Sequence, residues 1–151
     1  MVEMQELQAL VVAVILGGAI GLERELSGKP AGLRTNIIIC LGSAAFIIVA
    51  RHFASEGANL DSMARLAAGV VTGVGFLGAG VLIQEGRGVH GLTTAASIWL
   101  VTSIGMACGA GLYVMAIAIT ALALVVLLGL QPITSHIHKR RLQRQKKKEQ
   151  T

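Results

Sequence analysis

The sequence predicts an all-α fold, a polytopic membrane helix bundle of about five transmembrane helices, and three observations lead there. Residues 91–130 form 40 consecutive positions without Asp, Glu, Lys or Arg. One bilayer crossing takes about 20 apolar residues, so this run holds two spans. Three further charge-free windows lie upstream: Leu7 to Leu22, Thr35 to Ala50 and Leu66 to Ile83. Hydrophobic residues make up 54% of the chain, charged residues only 14%, and mean hydropathy is +0.71, well above an ordinary soluble domain.

The expected spans are 5–22, 34–53, 65–84, 91–109 and 112–130. Glu3 and Glu6 stand before the first span where a basic region should be, so that span is expected to stay in place and not to act as a cleavable signal peptide. The Ser-Gly-Lys-Pro stretch at 27–30 turns the chain into the second span. The third carries Gly69, Gly73, Gly75, Gly78 and Gly80. The fourth opens at Gly91 with Thr93, Thr94 and Ser97 in its first turns. Gly109-Ala110-Gly111 breaks it from the fifth, which Pro132 ends. Residues 1–132 therefore read as one transmembrane domain and 133–151 as a basic cytoplasmic tail.

Basic residues set the orientation. With the C-terminus in the cytoplasm and five spans, the inner side holds Arg24, Lys29, Arg34, Arg87 and seven tail residues, while the outer side holds Arg51 and Arg65. That asymmetry predicts N-out, C-in. The tail carries most of the net charge of +5. It reads as a topological anchor touching anionic lipid, worth about 1 kcal/mol per basic residue near the surface. It offers no folded module and no interleaved aromatics, so no nucleic acid is expected as a partner.

Cys40 and Cys108 are the only cysteines. Counted from the inner ends of their spans they lie about 8 and 26 Å deep, a gap of about 18 Å at 1.5 Å per residue. A disulfide needs Cα atoms within about 7 Å, so both read as small core residues. His52, His90, His136 and His138 are scattered and suggest no zinc site. Gly73 to Gly78 matches G-x-G-x-x-G, but it falls inside a span and no carboxylate follows about 20 residues on, so it is not a dinucleotide loop. Trp99 lies deep in the fourth span and reads as a packing residue.

Gly17/Gly21, Gly69/Gly73 and Gly105/Gly109 are small-xxx-small pairs, which let helix backbones approach closely in lipid. Gly73 and Gly75 lie near mid-span, where a glycine-interrupted helix can also unwind and offer carbonyls to a cation. Packing is the weightier of the two readings. Glu23, Arg24 and Glu25 close the first span and Arg34 opens the second. They read either as an interfacial ion-pair cluster or as a shallow site in which Glu23 and Glu25 are ligands for a hard divalent cation such as magnesium. Thr93, Thr94 and Ser97 can cap the fourth helix, bond a neighbour or line a polar path. Glu85 would help offset the positive end of that helix if a cation passed.

Gly-Leu-Glu-Arg-Glu at 21–25, Ala-Gly-Leu-Arg-Thr at 31–35, Gly-Val-Gly-Phe-Leu-Gly-Ala-Gly at 73–80, Gly-Leu-Thr-Thr-Ala-Ala-Ser-Ile-Trp at 91–99 and Ile-Gly-Met-Ala-Cys-Gly-Ala-Gly-Leu-Tyr at 104–113 occur in order. Together they resemble the MgtC/SapB membrane proteins over roughly residues 10 to 130. The resemblance implies a bacterial inner-membrane protein of magnesium homeostasis. It also implies that many members carry a soluble C-terminal domain, where this sequence has the basic tail. Gly69 stands where the family commonly has Gln. Thr93 and Leu100 stand where the virulence-associated branch often has Asn and Cys.

Two functions are expected from this. In the first, the chain is a Mg²⁺ transporter or transport-associated protein, with Glu23, Arg24, Glu25, Arg34, Thr35, Thr93, Thr94 and Ser97 as ion-site candidates and Mg²⁺ as substrate rather than cofactor. In the second, it is a non-transporting regulator that binds another membrane protein, such as the ATP synthase, through its glycine faces. No nucleophile–base pair, metal triad or nucleotide loop suggests an enzyme. Lipid surrounds the bundle, and a homodimer sealed through small-residue faces is expected.

Overall fold

The computed structural model describes residues 4–55, 60–84 and 91–130. They form five helices: α1 (Met4–Leu26), α2 (Leu33–Ser55), α3 (Leu60–Gln84), α4 (Leu92–Gly109) and α5 (Tyr113–Leu130). Each is long and apolar enough to cross a bilayer. Glu85 and the basic tail lie outside the described residues.

The breaks are local backbone chemistry. At the end of α1, Gly28 takes φ +61 and the Lys29 and Gly28 N–H groups return to the carbonyls of Arg24 and Glu25, which is a Schellman cap. Gly111 does the same for α4 at φ +79, with Leu112 N–H on Ala107 and Gly111 N–H on Cys108. The expected Gly109–Gly111 break is thus a specific hydrogen-bonded turn.

The helices bury their small faces and expose their large ones. In α1, Ala9, Ala13, Gly17 and Gly21 repeat every fourth residue and are buried, while Leu7, Val11, Ile15 and Leu22 are exposed. That inversion suits a lipid solvent, where close backbone approach, not burial of bulk, holds helices together. A Cβ on Gly17 would sit 2.6 Å from Cys40 Cβ, and one on Gly21 would sit 2.8 Å from Leu33 Cα. Gly17 thus faces Cys40 while Gly21 faces Leu33, so α1 and α2 run antiparallel. On the other side of α2, a Cβ on Gly105 would strike the Cys40 carbonyl, and one on Gly109 the Ala44 carbonyl. Helix α4 therefore runs parallel to α2, as alternating crossings require. The core is this α1–α2–α4 unit, with Ala116 and Ala123 of α5 joining it. At the N-terminal end of α1, Tyr113 Oη donates to Gln5 O and Arg51 Nη1 to Gly109 O, each at 3.2 Å.

Two expectations need correction. The spans are not flush: Gly105 is level with Cys40, so Cys108 lies only about 4.5 Å further along the axis, not 18 Å. Both thiols are nevertheless free and buried. Trp99 is 55% exposed, because α4 buries Thr94, Ser97, Ile98, Val101, Ile104, Gly105 and Cys108, and residue 99 falls outside that stripe.

Candidate functional site

The polar side chains gather where α1 ends and α2 begins. Helix α1 continues one turn beyond its charge-free stretch, to Leu26, and so carries Glu23 and Arg24 into the interior. Both are buried, Glu23 at 6% and Arg24 at 2% exposure. Arg24 Nε and Nη2 donate to the two Glu23 oxygens at 2.5 and 2.9 Å, and Ser27 Oγ adds a third bond at 2.8 Å. Burial of either charge alone would be costly, and the bidentate fork with the extra hydroxyl compensates it. Three of the roughly four acceptor positions on Glu23 are thereby filled.

Glu25 is exposed and does something else. Its Oε2 accepts the Leu33 N–H at 2.9 Å, so the carboxylate of α1 caps the N-terminus of α2. Gly32 makes this approach feasible, since a Cβ there would overlap the Glu25 carboxylate. Residues two apart on a helix point about 200° apart. The expected joint metal site of Glu23 and Glu25 is therefore not assembled: one carboxylate turns inward to Arg24 and the other outward to α2. Arg34 braces neither.

Asn36 is the residue that the sequence reading missed. It is fully buried, and its Nδ2 donates to the carbonyls of Ala31 at 2.5 Å and Gly32 at 2.9 Å. Two carbonyl partners fix the amide orientation, because a flipped oxygen would face both of them. The amide thereby holds a turn in which Ala31 takes a left-handed φ of 57. Its Oδ1 has no partner among the described residues. A lone amide inside an otherwise apolar run was the available signal. Asn36→Ala should cost about 1–3 kcal/mol, chiefly through the Ala31 carbonyl it orphans, since Gly32 O keeps the backbone N–H of residue 36. Asn36→Asp should cost more, since it sets a carboxylate against the same carbonyls. Thermal unfolding in detergent ranks the two variants, and an Asp variant as stable as the parent would refute the assignment.

Arg34 and Thr35 are exposed and line a cleft of about 670 Å³ with Pro30, Ala31, Leu77 and Ile98. Parts of α2, α3 and α4 therefore line one cleft, but Glu23, Glu25, Thr93, Thr94 and Ser97 do not line it. Thr94 and Ser97 are buried in the first turns of α4, with Ser97 Oγ donating to Thr94 O at 2.8 Å, and Thr93 is exposed. The α4 N-terminus starts at Gly91 with φ 86 and no side-chain cap. Deeper buried hydroxyls of Ser43, Thr102 and Thr120 each donate back to their own helix.

The glycines divide sharply. Gly105 and Gly109, like Gly17 and Gly21, sit in contacts too close for a methyl group. On α3, a Cβ at Gly69, Gly73, Gly75 or Gly80 would meet nothing within 4 Å, and Gly78 only touches Ala95. Helix α3 is continuous across all five, so the unwound alternative is not realised. Among the described residues no group of three or more His, Cys, Asp or Glu could hold a metal ion.

The chain is similar to several curated proteins. It is 46% identical over 122 residues to a protein of Escherichia coli K12 named "Putative magnesium transporter YhiD", covering 78% of this chain and 57% of that one. It is 42% identical over 124 residues to "Protein MgtC" of Brucella abortus, covering 82% and 50%. It is 44% identical over 115 residues to "Protein MgtC" of Salmonella typhimurium, covering 76% and 48%. The chain thus spans about half the length of the curated relatives it matches. No solved structure matches it. The MgtC family profile matches residues 10–136, and with these relatives it shows that the chain, a multi-pass membrane protein, belongs to the MgtC family.

Proposed function

We propose that this protein acts in magnesium homeostasis in the bacterial inner membrane, as a transport-associated regulator and not as a cation conduit through its own bundle. Its N-terminus faces outward and its basic tail inward, following the positive-inside asymmetry. The magnesium link is supported by the name of the YhiD relative. The regulatory reading rests on one observation: the α1–α2–α4 core is shut by backbone contacts at Gly17, Gly21, Gly105 and Gly109 that leave no room for a methyl group. Mg²⁺ dehydrates reluctantly and keeps several waters, so it needs a wide, oxygen-lined path. The cleft beside this core presents Arg34, which repels a cation. The face of α3 at Gly75, which is open and lies outside the α2–α3 crevice, is the surface left for a membrane partner.

A second reading, in which the chain itself carries Mg²⁺, is favoured by the same relative's transporter name. The magnesium link is tested in cells with and without the expressed chain, grown across a series of magnesium concentrations. A growth or cell-magnesium difference confined to low magnesium is expected. Identical curves at every concentration would remove magnesium from the account.

A further inference from the structure

Helices α2 and α3 diverge around an apolar crevice of about 500 Å³. Gly42 on one wall and Gly69 and Gly73 on the other open into it, since a Cβ at any of them would meet no atom within 4 Å. Phe46 and Leu77 are among its apolar lining. Among the described residues its one charged lining side chain is Arg65, near the start of α3. Arg65 is exposed.

We propose that this crevice holds a single phospholipid, its phosphate on the Arg65 guanidinium and one acyl chain lying over Gly69 and Gly73. The dimensions and the charge both select this occupant. From Arg65 to Leu77 the crevice follows 12 residues of α3, about 18 Å at 1.5 Å per residue. Half of a bilayer's hydrocarbon core is about 15 Å, so an acyl chain hung from Arg65 ends near Leu77. A guanidinium matches a phosphate with two parallel hydrogen bonds, and the apolar floor asks for methylenes. An α-helix about 10 Å across would instead have to wedge α2 and α3 apart. This occupancy is independent of any magnesium role.

The test is native mass spectrometry of the full chain in mild detergent, titrated with phosphatidylglycerol and, separately, phosphatidylcholine. One tightly held lipid per chain is expected, with phosphatidylglycerol preferred. Arg65→Gln should weaken phosphatidylglycerol retention about tenfold, as loss of a bidentate charged contact implies. Gly69→Leu and Gly73→Leu should displace the acyl chain while keeping full helical content, because their side chains enter open space. Arg51→Gln removes an equal charge from the same end of the bundle and should leave retention within about twofold, since surface attraction alone is weak. Retention unchanged in Arg65→Gln or in the glycine variants would overturn the site. A shift from dimer to monomer mass in the glycine variants without lipid loss would also overturn it, by giving the crevice to a second copy.

Discussion

Gly105→Leu is expected to separate α2 from α4 and to lower stability by ~3 kcal/mol. The new side chain would run into the Cys40 carbonyl and the Ser43 Cβ, at 2.9 Å from the latter. Backbone cannot rotate out of the way as a flexible side chain can. Gly109, one turn on, makes the same contact with Ala44 and Ile47, so the pair cannot relieve the clash by sliding the helix. Against a usual total stability of roughly 5–15 kcal/mol, such a loss is large. Gly73→Leu is the internal comparison: it has the same chemistry and small-xxx-small spacing, but faces open space. It should stay within about 1 kcal/mol of the parent, since replacing a helical glycine also improves helix propensity. Equilibrium unfolding in mixed micelles, followed by circular dichroism, compares the two directly. Equal midpoints would show that the α2–α4 contact is not as tight as described.

The second large effect is at the buried ion pair. Arg24→Gln leaves the Glu23 carboxylate inside the protein with Ser27 as its remaining side-chain partner. An uncompensated buried charge costs about 3–5 kcal/mol. Replacing both members, as Glu23→Leu with Arg24→Leu, should recover much of that loss, because desolvation of the two charges disappears together. The double-mutant cycle of Glu23→Leu, Arg24→Leu and their combination, measured by the same unfolding experiment, should therefore be strongly non-additive. Additive losses would place Glu23 in contact with water and would reopen its role as an ion ligand.

How far the sequence could be read depended on which question was asked. Span number and the Gly109–Gly111 break follow from charge and glycine alone, and all five helices appear. The spacing of Gly17/Gly21 and Gly105/Gly109 was also legible as close approach, and the contacts are there. Gly69/Gly73 carries the same signature with nothing against it. Spacing says that a face can be approached, but not what approaches it. The depth of Cys108 was misjudged because sequence gives the length of each span without the vertical offset between neighbours. Glu23 and Glu25 looked like a pair in one dimension, although a helix sends positions two apart to opposite sides. Asn36 was passed over because its work, holding the Ala31 and Gly32 carbonyls, lies in a turn that becomes visible only when α1 and α2 are brought together.

The measurement closest to the central claim is Mg²⁺ entry into liposomes holding the purified chain and a magnesium-sensitive dye, compared with protein-free liposomes. A core shut at Gly17, Gly21, Gly105 and Gly109 predicts equal entry in the two preparations. Saturable entry that rises with the amount of folded protein would contradict it.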